Sequence, residues 1–139
     1  MFIAITPAVS VAPQISVADV AIAAAQGFVT IVNNRPDGEA ADQPAGDAIA
    51  RACADAGIAY AAIPIDHTGF SLDQVEAMQA AMAAGPVLAF CRSGTRSCNL
   101  WALAAARAGN DPAAIIAAAG AGGYNVAGLM PLLRQLAPR

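Results

Sequence analysis

The sequence predicts an α/β domain with a mostly parallel central sheet of four to five strands flanked by helices, and three observations predict it. Helical and strand patterns alternate along most of the chain, as strands joined by helical crossovers require. The strand-like runs "FVTIV", "IAYAAIPI" and "VLAF" are apolar almost throughout, as strands covered on both faces must be. The chain has 139 residues, enough for one hydrophobic core and too few for two, so residues 1–139 form a single domain.

The first element is a helix opening at Ser16, whose hydroxyl caps the backbone of Asp19, and closing at Gly27. A strand follows over Phe28–Val32 and stops at "NNRPDGE", a run of turn-forming residues. Ala45–Ala56 reads as the second helix, with Ile49, Ala52, Cys53 and Ala56 on one stripe. Ile58–Ile65 is the next strand. A third helix starts at Ser71, where Gln74 completes a capping box, and ends near Gly85. Val87–Phe90 is a short central strand, and a fourth helix runs from Ser97 to Gly109. Asp111 before Pro112 caps a further helix, and the last covers Val126–Leu136.

Composition narrows the function classes. With 58% hydrophobic and 12% charged residues and a mean hydropathy of +0.54, the chain can bury a core and is not disordered. A net charge of −3 without any basic stripe argues against a nucleic-acid partner. Met1–Val20 is apolar up to Asp19 but has no basic start and contains Pro7 and Pro13, so no signal peptide is expected. Pro112–Leu133 carries no ionised group, yet its glycines, Asn125 and Pro131 argue against a membrane span. Three cysteines without a secretion signal fit a reducing cytoplasm, and their spacing suggests no metal site; no cofactor is expected.

The informative stretch is "FCRSGTRS", Phe90–Ser97. In an α/β sheet, ligands bind beyond the carboxyl ends of the strands, where Cys91 falls. A cysteine between a strand and a helix N-terminus is placed to be a thiolate, helped by loop amides, the helix dipole and the charges of Arg92 and Arg96. Gly94 lets successive amides turn inward, Ser93, Thr95 and Ser97 supply hydroxyls, and Arg96 can grip two oxygens of one anion. Nucleophile and electrophile are then held together, which is the arrangement covalent catalysis needs.

"CRSGTRS" resembles the active-site loop of cysteine-dependent phosphatases and of rhodanese-type sulfurtransferases. With "NNRPDGE" after the first long strand and "LWALA" after the loop, nearly the whole chain is similar to the phosphatase-like domain of beta-lactamase-hydrolase-like proteins. That resemblance implies a dual-specificity-phosphatase-like fold and either phosphatase or sulfur-transfer activity; for fused relatives the family name suggests a persulfide-oxidising enzyme as partner. Phosphatases of this type place five residues between cysteine and arginine, whereas here only Arg92–Thr95 intervene, the shorter spacing of rhodaneses. The expectation from that spacing is a sulfurtransferase using a Cys91 persulfide, with thiosulfate or a persulfide as the small anionic substrate. The alternative is a phosphatase acting on a phosphoester through phosphocysteine, for which Asp66 in "IPIDHTG" stands where the resemblance places a general acid. A third class, an inactive anion-binding module, is disfavoured by the presence of both Cys91 and Arg96.

Other residues carry plainer readings. Cys53 and Cys98 are expected in the core and His67 in solvent. Arg35 and Asp37 either form an ordinary polar turn or brace the catalytic loop. Asp19, Glu39, Asp47, Asp55 and Glu76 read as caps or solvated faces, and Trp101 and Tyr124 as core or pocket rim.

Overall fold

The computed structural model describes residues 1–139. Five strands form one sheet: β1 (Ile3–Thr6), β2 (Val9–Ala12), β3 (Thr30–Asn33), β4 (Ala59–Ala62) and β5 (Val87–Phe90), in spatial order β1-β2-β5-β3-β4. Three of the pairings are parallel and β1 with β2 is antiparallel. The helices are α1 (Val17–Ala25), α2 (Gly46–Ala56), α3 (Leu72–Ala83), α4 (Thr95–Arg107), α5 (Pro112–Ala121) and α6 (Met130–Leu136), the last preceded by a short 3-10 turn over Ala127–Leu129.

Strand periodicity divides the core into two layers. Ile31, Leu88 and Phe90 face α1 and α2 with Val20, Ala23, Ile49 and Cys53. Val32, Val87 and Ala89 face the other way, into a larger cluster with Met78 of α3, Leu100 and Leu103 of α4, Ile115 of α5 and Leu133 of α6. The buried apolar strand positions thus have apolar cover on their own faces, which explains the near-continuous hydrophobic runs. α4 is the central helix, with Ser97, Cys98 and Leu100–Ala106 all buried.

The expected caps form. Ser16 with Asp19 and Ser71 with Gln74 make reciprocal capping boxes, and Asp111 accepts from the Ala114 amide. Cys53 and Cys98 lie in the core, as expected.

Several elements differ from the sequence expectation. The N-terminal stretch, read above only for targeting signals, is the β1–β2 hairpin. Its turn is closed by Thr6, whose Oγ1 accepts from the amides of Ala8 and Val9 at 3.1 and 3.0 Å, so it lacks the Asn-Gly or Gly-Gly signature that marks most hairpins. Pro64 interrupts the Ile58–Ile65 run, and β4 ends at Ala62, although the amides of Ile63 and Ile65 still reach the carbonyls of Asn33 and Asn34 at 2.9 Å. α4 begins at Thr95 rather than Ser97, because Gly94 takes the cap position with φ +90°. Pro131 enters in the first turn of α6, so the helix expected from Val126 starts four residues later, at Met130.

With β2, β3, β4 and β5 parallel, their carboxyl ends lie along one edge of the sheet. Residues 13–16, 34–45, 63–71 and 91–94 therefore emerge side by side, and that edge holds the candidate site.

Candidate active site

Cys91 follows β5 directly, and its amide reaches the Ala12 carbonyl at 3.4 Å, so the loop starts from a strand end fixed on both sides. The residue is buried, yet it belongs to neither apolar cluster. Its Sγ accepts the Gly94 amide at 3.1 Å. The left-handed conformation at Gly94 then turns the chain from the loop into α4, a backbone path that favours glycine. A Cβ there would also run into the Tyr124 hydroxyl. Tyr124 closes the loop from outside by donating to the Ser93 carbonyl at 3.1 Å, and the Gln14 amide reaches the Arg92 carbonyl at 3.3 Å.

Arg96 lies in the first turn of α4. Its Nη1 and Nη2 donate to the two carboxylate oxygens of Glu39 at 2.7 and 2.9 Å, and Nη1 donates also to the Ile65 carbonyl at 2.8 Å. The same carboxylate accepts from Arg35 Nε at 3.0 Å, and Arg35 Nη1 donates to Gln14 Oε1 at 3.0 Å. Hydrogen bonds from Arg96, then Arg35, prevail over burial and hold the Glu39 carboxyl down to about 2. Reciprocally, Glu39 raises the pKa of Arg96, to which the Cys91 sulfur adds a smaller push, so the guanidinium stands within electrostatic reach of that sulfur.

The hydroxyls of the loop divide. Ser93 Oγ donates to Thr95 Oγ1 at 3.0 Å, and both residues are exposed at the rim. Ser97 is buried and donates to Asn34 Oδ1 at 2.8 Å, while Asn34 Nδ2 donates to the Ile63 carbonyl at 2.9 Å. The Ser97 hydroxyl thus serves a clamp between three segments and directs no proton at an anion, contrary to the expectation that it lines the cradle. Arg92 is exposed and makes no ion pair.

Asp66 sits on the exposed loop after β4, one residue beyond the carbonyl that Arg96 holds. Its carboxylate accepts from the hydroxyl and amide of Thr68, and these bonds, the hydroxyl first, pull its pKa down. Arg35 meets Arg96 only through Glu39, whose Oε1 accepts from both. Asp37 does something else: it accepts from the Gly46 amide at 2.8 Å and completes the start of α2, which has no cap of its own. His67 is exposed, as expected, and Cys98, buried behind the loop, has its thiol pushed up to about 12 mainly by desolvation.

Sequence reasoning missed Glu39, Asn34 and Gln14. Glu39 and Arg96 are 57 residues apart. Nothing in the spacing of "NNRPDGE" announces that its glutamate meets the arginine of another loop rather than solvent.

Residues 1–108 match the phosphatase-like domain of beta-lactamase hydrolase-like proteins. The chain belongs to that family. A beta-lactamase hydrolase-like protein of Agrobacterium fabrum is 38% identical over 96 residues, covering 68% of this chain and 22% of that protein, and one of Xylella fastidiosa is 43% identical over 82 residues, covering 58% and 19%. The chain therefore spans about a fifth of the length of these relatives. A structure from Neisseria meningitidis, described as a candidate phosphatase, superposes with a TM-score of 0.80 at 30% identity over 96% of both chains. A mouse dual-specificity-type phosphatase structure with bound zinc tungstate shares the fold at a TM-score of 0.68 and 19% identity, covering 97% of this chain and 85% of that one. The domain is thus a phosphatase-like α/β fold, as the sequence resemblance implied. These likenesses are to phosphatase-type proteins, and they favour the phosphoester alternative over the sulfur-transfer expectation. No helix is long and apolar enough to cross a membrane.

Proposed function

We propose that the domain is a thiolate enzyme that hydrolyses small phosphoesters through a phosphocysteine on Cys91. The observation that carries this is the Gly94 amide directed at the Cys91 sulfur at 3.1 Å, inside a loop that the phosphatase-like fold presents at the sheet's carboxyl edge. In the first step the thiolate attacks phosphorus, an S–P bond forms, the ester P–O bond breaks, and the leaving oxygen takes a proton from Asp66. Water then breaks the S–P bond, returns a proton to Asp66 and releases phosphate. Loop amides and Arg96 stabilise the equatorial oxygens, whose charge a loose phosphoryl transition state spreads over them.

Asp66 must be protonated to serve as the acid, whereas its bonds to Thr68 favour the carboxylate. The leaving group has to draw the carboxyl away from Thr68, and acid catalysis belongs to the substrate complex rather than the free protein.

A second reading rests on the four residues between Cys91 and Arg96, which suit a smaller electrophile than a phosphoryl group. The thiolate would attack the sulfane sulfur of thiosulfate, sulfite would leave with the electrons of the broken S–S bond, and the Cys91 persulfide would pass its terminal sulfur to a thiol or cyanide. One experiment separates the readings. An aryl phosphate and thiosulfate with cyanide are assayed side by side, with Cys91→Ser as control. Phosphate release that vanishes in Cys91→Ser and falls in Asp66→Asn supports the first. Inertness toward phosphoesters, with Cys91 gaining the mass of one sulfur atom from thiosulfate, replaces it with the second.

A further inference from the structure

Arg96 is the side chain expected to grip the anion, yet it is already held by a carboxylate. Two interpretations compete: Glu39 either occupies the substrate's place and must leave, or it holds the guanidinium in position while the substrate binds elsewhere on it. The donor count decides between them. A guanidinium has five N–H groups arranged in a plane. Glu39 takes one from Nη1 and one from Nη2, which together form the far end of the group, and the Ile65 carbonyl takes the second N–H of Nη1. What remains is Nε–H and one N–H of Nη2. These two lie on a single side edge and form a complete bidentate fork for an oxyanion.

We propose that Glu39 is a positioning residue: by closing the far end of Arg96 it leaves one side edge free, and that edge receives two oxygens of the substrate anion. This role rests on the thiolate-enzyme reading for its catalytic meaning, but not for its binding test. The carboxylate is itself fixed from behind. Its Oε1 accepts from both Arg96 Nη2 and Arg35 Nε, and Arg35, only 7% exposed, is anchored by Gln14. Moving Glu39 aside would leave the Arg35 cation buried without a counter-charge, a costly state. A substrate anion therefore adds to the cluster rather than displacing its carboxylate.

Glu39→Gln tests the role, because an amide keeps the shape but turns an NH2 group toward one of the two guanidinium groups. Sodium tungstate, a tetrahedral oxyanion, is titrated calorimetrically into the full chain and its variants. Glu39→Gln should weaken tungstate by about tenfold or more, the worth of one charge-assisted hydrogen bond. Glu39→Asp, which keeps the charge but is one methylene shorter, should fall in between. In an Arg96→Lys background, where no planar edge exists to be aimed, Glu39→Gln should change little. A purely structural role for Glu39 would instead give the same loss in both backgrounds and would overturn the proposal. So would equal affinity of wild type and Glu39→Gln, or wild-type protein that binds no tungstate. A urea transition for each variant shows that it is folded at the temperature of the titration. If tungstate follows the expected pattern and neither phosphoester nor thiosulfate is turned over, the positioning role stands and the catalytic reading fails.

Discussion

Ser97 donates its one hydroxyl proton to Asn34, so a residue that looks like a substrate ligand in "CRSGTRS" is a clamp instead. The Asn34 side chain in turn holds the Ile63 carbonyl, and its backbone N–H donates to the Phe90 carbonyl, so one fully buried residue ties three strand ends together. Ser97→Ala leaves the Asn34 Oδ1 buried without a donor. The expected loss is about 1–3 kcal/mol, read from the shift of the urea midpoint at unchanged slope. Thr68 gives a second prediction at this scale. Its hydroxyl is the largest cause of the lowered Asp66 pKa, so Thr68→Ala should raise that pKa. An acid that stays protonated to higher pH extends the alkaline limb of the kcat/KM profile upward for an aryl phosphate. An alkaline limb that stays in place would remove Asp66 from the role of acid.

Among the elements, the turn from β5 into α4 is the one on which the proposed chemistry depends, and Gly94 sets its path into the helix. The residue stands at φ +90°, and a Cβ there meets the Tyr124 hydroxyl. Gly94→Ala should cost more than about 1 kcal/mol and weaken oxyanion binding, since the amide that faces Cys91 is Gly94's own. Adding Tyr124→Phe removes the colliding oxygen and should restore part of the stability but not the binding. Full recovery of tungstate affinity in the double variant would show that the backbone conformation does not matter. The elements were mostly legible in the sequence, because Ser16, Ser71 and Asp111 announce their helices by chemistry that acts within one turn. The β1–β2 hairpin was not, since it is closed by a threonine hydroxyl and its strand β2 is defined by pairing with β5, which lies far along the chain. The site followed the same division. Cys91, Gly94 and Arg96 are contiguous and could be read from one loop, whereas Glu39, Asn34 and Gln14 reach it only because the parallel sheet brings four strand ends to one edge.

At the scale of the whole molecule, that convergence ties the candidate site to global stability. Gln14 after β2, Arg35 and Glu39 after β3, Ile65 after β4 and Arg96 at the start of α4 form one continuous network, so the charge of Glu39 contributes to holding the sheet edge closed. Its carboxyl titrates at about 2 in the folded chain against 4.5 for the unperturbed group. A depressed folded pKa stabilises the native state above the unfolded value, and that stability disappears as pH falls through the window from about 4.5 to about 2. At the other end of the scale, burial lifts the thiols of Cys53 to about 11 and Cys98 to about 12 against 9.0, so their contribution is complete below pH 9 and fades as pH rises through those values. The native state should therefore lose stability at both extremes, and Glu39→Gln should lower stability above about pH 4.5 while changing its pH dependence on the acid side alone. Urea midpoints measured from roughly pH 6 down to pH 2 would show wild type above Glu39→Gln at the start and the two curves converging as the carboxylate protonates. Asp66 is lowered in the same direction by Thr68, so Asp66→Asn is the control; its difference from wild type should be smaller, because Asp66 is exposed and holds no buried cation. Parallel curves for wild type and Glu39→Gln across the whole range would mean that the carboxylate between Arg35 and Arg96 adds nothing to folding that a neutral amide does not.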